Sequence, residues 1–166
     1  YKQLRYINSA AFGWRGPIRS VKQALVLLGE SECRKWLSLV ALPALAQDTA
    51  EELVVQAAVR ARFAESLAEW VQLSHRRSDL FFLGLFSLLD TLLDRPLEEA
   101  LGGVFLPDDV RDALLGKAPE GSRPAQVYAL VRAYEAAQWE SVERTTRELN
   151  LPAGSVAALY IQAVEW

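Results

Sequence analysis

Leu53, Ala57, Ala61, Ala64, Ala68 and Val71 recur at every third or fourth residue, a spacing that lines one face of a helix and is foreign to a strand. The same period returns along the chain to Val164, while the strict alternation of a half-buried strand is hard to find. The expected fold class is therefore all-α: a compact multi-helix bundle of about eight helices. With 166 residues, 51% of them hydrophobic, the chain suffices for one sizeable core better than for two small ones. Residues 1–166 are read as a single domain.

Local signals divide the pattern. Ser20-Val21-Lys22-Gln23 has the form of a capping box opening a helix that runs to Gly29, and a second helix passes through Trp36, Leu39, Val40 and Leu42 before Pro43. Asp48 or Thr49 is placed to cap the alanine-striped helix, with Glu51 and Glu52 in its first turn. After a polar loop at Ser74–Ser78, an apolar helix is expected from about Asp79 to Asp94, buried on most sides at the centre of the fold. Pro96 opens a short helix closed by Gly102-Gly103, and Pro107-Asp108-Asp109 opens another that ends near Gly116. Three further stretches are centred on Tyr128–Ala137, Trp139–Leu149 and Pro152–Val164.

Charge and composition exclude several classes of function. Eighteen basic residues face 21 acidic ones, so no general cationic field draws a phosphate backbone and a nucleic-acid partner is not expected. The most apolar run, Leu80–Leu93, is interrupted by Gly84, Ser87, Asp90 and Thr91 and falls short of the roughly 20 residues of a membrane span. Membrane insertion is not expected. A lone cysteine, Cys33, allows no internal disulfide, and no signal peptide is recognisable, which favours the cytoplasm. Residue 1 is Tyr and the chain has no Met, the basis for expecting a piece of a longer polypeptide.

Residues able to carry chemistry are few. His75 is the only histidine, so one chain cannot assemble a site from two imidazoles; beside Ser74, Arg76 and Arg77 it reads as a solvated loop residue. Asp90 and Asp94, four apart, would share a helix face as two carboxylates for a hard cation, although Arg95 is placed to offset Asp94. Cys33 lacks a thiolate-activating motif and reads as a packed thiol. The common phosphate loops and the nucleophile elbow are missing. No catalytic residue, resident metal or cofactor is accordingly expected. Of the five tryptophans, Trp36, Trp70, Trp139 and Trp166 suit core or edge packing. Trp14, in the turn-rich Gly13-Trp14-Arg15-Gly16-Pro17, pairs with Arg15 as a candidate partner contact.

Leu4-Arg5-Tyr6-Ile7-Asn8-Ser9-Ala10-Ala11-Phe12-Gly13, followed by Pro17-Ile18-Arg19-Ser20-Val21-Lys22-Gln23-Ala24-Leu25-Val26-Leu27-Leu28-Gly29, resembles the signature of HDOD domains. Weaker likeness continues through Arg34–Leu39, Arg60–Ala64, Gly84–Asp90, Tyr134-Glu135 and Trp139, similar to the HDOD half of bacterial EAL-HDOD proteins. The resemblance implies an HD-like helical fold without the histidine and His-Asp doublet that hold metal in HD phosphohydrolases. Gly84-Leu85-Phe86-Ser87-Leu88 stands where related sequences show a Gly-Leu-Leu-His-Asp-like segment, so Ser87 and Leu88 replace the doublet, and the lone histidine falls near Gln56. Gln56, Ser87 and Leu88 are thus expected to mark a degenerate HD site. Such residues cannot hold the metal that acidifies a bound water.

The function implied by that resemblance is a non-catalytic regulatory and protein-interaction module, a C-terminal piece of an EAL-HDOD protein linked to cyclic-di-GMP signalling. Its partner would be another protein or the attached EAL domain, with a homo-oligomer as a further option. The alternatives are a residual metal-dependent phosphohydrolase and a nucleotide sensor that binds in the old HD cleft without cleaving.

Overall fold

The computed structural model describes residues 29, 30, 32, 34, 35, 37, 38, 41, 51–152 and 154–166, and the chain divides into two compact units, 1–38 and 39–166. In the first unit every described residue is helical, and Gly29 takes the left-handed conformation expected of it, with φ +77°. Glu30 pairs with Arg34 and Glu32 with Lys35, at the four- and three-residue spacings that bring side chains together on a helix. The Ser20–Gln23 capping box, Cys33, Trp36 and the Asp48/Thr49 cap lie outside the described residues.

The described residues of the second unit form no strand. From residue 51 onward the α-helices are α1 (Glu51–Leu67), α2 (Arg77–Phe86), α3 (Leu89–Leu93), α4 (Leu97–Ala100), α5 (Asp108–Leu115), α6 (Arg123–Glu135), α7 (Trp139–Glu148) and α8 (Ser155–Val164). The alanine stripe of α1 behaves as its spacing requires: Ala57, Ala61, Ala64 and Ala68 are buried, and small side chains let another helix approach closely. That helix is α2, in which Leu80–Leu85 are buried without a break. The closest approach is at Gly84, where a Cβ atom would lie 2.4 Å from the Arg60 carbonyl oxygen and 2.5 Å from the Ala61 nitrogen. Only glycine fits such a crossing.

Around this pair an aromatic cluster joins three helices. Phe63 of α1 meets Tyr134 of α6 and Tyr160 of α8 edge-on at 5.7 and 5.3 Å, and the two tyrosines lie 4.7 Å apart. Trp139 and Trp166 pack edge-on against Tyr134 and Phe81 as edge residues, whereas Trp70 is exposed in the turns after α1. Arg76 forks onto both carboxylate oxygens of Asp109 at 2.7 and 2.8 Å and also reaches Asp79, tethering the start of α5. That guanidinium holds the Asp109 carboxyl below the usual carboxylate range.

Two expectations are corrected. The apolar helix does not run unbroken from Asp79 to Asp94: α2 ends at Phe86, Ser87 and Leu88 form a turn, and α3 restarts at Leu89. The Ser87 hydroxyl donates to the Gly84 carbonyl at 2.7 Å, a local bond that competes with continued helix. The expected loop at Ser74–Ser78 is a 3₁₀ turn over Ser74–Arg76 that passes directly into α2. His75 is exposed there.

Helix ends follow a recurrent pattern. After α6, Gln138 N–H donates to the Ala133 carbonyl and Ala137 N–H to that of Tyr134, the two bonds of a Schellman motif with Ala137 left-handed at φ +53°. The same paired bonds close α5 at Gly116 and α7 at Asn150. Alanine in this conformation costs about 1 to 2 kcal/mol, while glycine surrenders more chain entropy. Ala137→Gly is therefore expected to raise stability by about 0.5 to 1 kcal/mol, read as an upward shift in the urea midpoint.

Candidate functional site

Gln56 and Arg60 are one helical turn apart on α1, a polar pair beside the alanine stripe. Arg60 Nε donates to Glu135 Oε2 at 2.7 Å and Arg60 Nη1 to Ser87 Oγ at 3.0 Å. Gln56 Nε2 donates to the same Glu135 oxygen at 3.1 Å. The Arg60 and Glu135 side chains are only 12% and 10% exposed, so a guanidinium and a carboxylate are held together away from most solvent. The ladder Gln56–Glu135–Arg60–Ser87–Gly84 pins α1, the end of α2 and the end of α6 to one another. Its Ser87 hydroxyl accepts from Arg60 and donates to Gly84, which uses both capacities of the group.

Two phenols flank the ladder. Burial pushes the Tyr128 phenol above its ordinary value, with Arg132 and Arg60 opposing. Burial also raises that of Tyr160, assisted by Glu135 and Tyr134. Both are neutral hydroxyls at physiological pH. Arg132 lies over the Tyr128 ring at 5.6 Å.

Of the expected degenerate-site residues, the structure brings Gln56 and Ser87 into one network and leaves Leu88 out of it; Leu88 is half-buried against the hydrophobic core. Asp90 and Asp94 do not form a pair. Asp90 accepts from the Thr91 amide at 2.8 Å, and Asp94 lies one residue past α3 in the left-handed conformation, so the helical register that would align them ends first. No ion pair joins Arg95 to Asp94 among the described residues. Among those residues no group of three or more His, Cys, Asp or Glu is arranged to hold a metal, and no helix is long and apolar enough to cross a membrane. Trp14 and Arg15 lie outside the described residues.

Neither motif nor periodicity singles out Arg60 and Glu135, the centre of the network. A polar Gln-x-x-x-Arg pair on an alanine-rich helix was the available signal for Arg60; nothing in local spacing points to Glu135, 75 residues away.

A family model described as the HDOD domain matches residues 2–93. The chain belongs to the HDOD family. This HDOD chain is 32% identical over 167 aligned positions to cyclic di-GMP phosphodiesterase CdgJ of Vibrio cholerae serotype O1, an alignment that takes in all of the chain and 38% of CdgJ. It is 29% identical to the uncharacterized protein YuxH of Bacillus subtilis, over all of the chain and 40% of YuxH. The HDOD chain thus spans about two fifths of the length of the curated relatives it matches. No solved structure matches it. The family match contains Gln56, Arg60 and Ser87 and stops short of Glu135, so the ladder joins the matched segment to the helices that follow it.

Proposed function

We propose that the chain is a non-catalytic regulatory module of bacterial cyclic-di-GMP signalling, acting in the cytoplasm through protein contacts on an EAL domain attached N-terminal to it. The observation that carries this reading is the Arg60 ladder. Gln56 and Ser87, the positions at which the HD resemblance anticipates metal ligands, are tied to a guanidinium whose positive charge opposes a divalent cation in the same space. With one histidine in 166 residues, the chain cannot rebuild a multi-imidazole ligand set. A degenerate HD site at Gln56, Ser87 and Leu88 is in keeping with both features. The name of CdgJ supports the cyclic-di-GMP connection, and the 38% of CdgJ that this chain matches leaves most of that protein available for the phosphodiesterase chemistry.

The test compares cyclic-di-GMP hydrolysis by the complete protein, by the same protein lacking residues 1–166, and by residues 1–166 alone with added Mg²⁺ or Mn²⁺. The isolated residues should show no turnover, and their deletion should change the rate, the ligand dependence or the oligomeric state. Metal-dependent turnover by residues 1–166 overturns the non-catalytic reading. Identical behaviour with and without them overturns the regulatory one. Trp14→Ala with Arg15→Ala in the complete protein tests the proposed contact: a true hot spot costs about 2 kcal/mol or more of binding.

A further inference from the structure

α8 has no Asp, Glu, Lys or Arg among its ten residues, yet buries only Val156 and Ala163. Ile161 and Val164 remain 56% and 57% exposed, and on α1 Val55 is 56% exposed. Between the two helices runs a groove of about 480 Å³, lined by Val55, Val59, Tyr160 and Val164, with Glu51 and Glu52 as acidic members of its wall. Both glutamates are exposed, and among the described residues neither has a side-chain hydrogen bond or ion pair. Among the described residues no Lys or Arg lines the groove, and its third carboxylate, Glu135, is already engaged by Arg60 and Gln56.

We infer that this groove docks an amphipathic helix of a protein partner, with an apolar stripe against Val55, Val59, Tyr160 and Val164 and flanking Lys or Arg side chains against Glu51 and Glu52. The inference rests on the regulatory reading above and supplies a surface through which it acts. Charge complementarity selects the occupant. A second copy would bring a charge-free α8 and further glutamates to an acidic wall, and an anionic lipid surface would be repelled by it. A basic amphipathic helix satisfies both the apolar lining and the unpaired carboxylates.

The probe is a synthetic peptide of about 15 residues, with Leu at helical spacing and Lys elsewhere, beside the same peptide with Glu for Lys. Fluorescence anisotropy with the complete protein should show saturable binding of the Lys peptide and none of the Glu peptide. Glu51→Lys with Glu52→Lys should weaken the Lys peptide about tenfold. Glu140→Lys with Glu143→Lys, an equal charge change on exposed positions of α7, should leave it unchanged. Val55→Asp with Val164→Asp should abolish binding; if that variant fails to fold by circular dichroism, the reversal of Glu51 and Glu52 decides. Absence of binding, or equal loss in both charge-reversal variants, overturns the inference. So does self-association that Val164→Asp removes, or binding to phosphatidylglycerol vesicles in place of the peptide. Peptide binding in a protein whose hydrolysis ignores deletion of residues 1–166 leaves the groove standing and sinks the regulatory reading; a deletion effect without peptide binding does the reverse.

Discussion

Gly84→Ala is expected to destabilise the protein by about 3 kcal/mol or more, through overpacking that no side-chain rotation can relieve. The added methyl would meet the Arg60 carbonyl oxygen at 2.4 Å and the Ala61 nitrogen at 2.5 Å. Both are main-chain atoms inside α1, so the two helices must part along the interface that buries Ala57, Ala61, Leu80 and Leu83. The comparison is Gly103→Ala, where nothing lies within 4 Å of the new Cβ and the change should stay within about 0.5 kcal/mol. Urea denaturation of both variants measures the difference. A Gly84→Ala midpoint close to that of Gly103→Ala would show that the helices do not cross at this distance.

Arg60→Met and Glu135→Leu should each cost about 3 kcal/mol, because removing one member of a largely buried ion pair leaves the other desolvated without its counter-charge. The double variant should recover most of that loss, since apolar side chains of similar length can fill the same space without a desolvated charge. A double-mutant cycle built from urea midpoints isolates the coupling. Independent, additive losses below about 1 kcal/mol would mean that the pair behaves as a solvated surface bridge.

Much of the helical frame was legible because its causes are local. The start of α5 at Asp108 after Pro107 and its end at Gly116 are written in residues that act within one turn. The alanine stripe of α1 and the burial of Leu80–Leu85 follow from spacing and apolar content. The break at Ser87 was not legible, since apolar residues continue at helical period on both sides of it. Its cause combines a hydroxyl bonded to its own turn with a guanidinium 27 residues away in sequence. The helix ends near Asp94, Ala137 and Leu149 were legible, but the left-handed conformations of the non-glycine residues Gln72, Asp94, Ala137 and Asn150 were not, since composition gives no reason to expect them.

The candidate site divides in the same way. Gln56 and Ser87 were reached only through the family likeness, and Leu88, named with them, turns its side chain to the core. Arg60 and Glu135 both lie in segments that share the family likeness, which gives neither a role, and Glu135 becomes the partner of Arg60 only once α6 is folded beside α1. Periodicity describes which face of a helix is buried. It carries no information on which distant polar residue will meet it there.

The Arg60 guanidinium has a consequence for what this part of the fold needs from its surroundings. A central charge supplied by a metal arrives by diffusion, competes with other ions and leaves with a chelator. The charge that braces α1, α2 and α6 here is synthesised as part of the chain, one per molecule. It cannot be stripped, exchanged or left vacant by scarcity. The brace therefore holds the three helices together without drawing on the ionic supply of the cell.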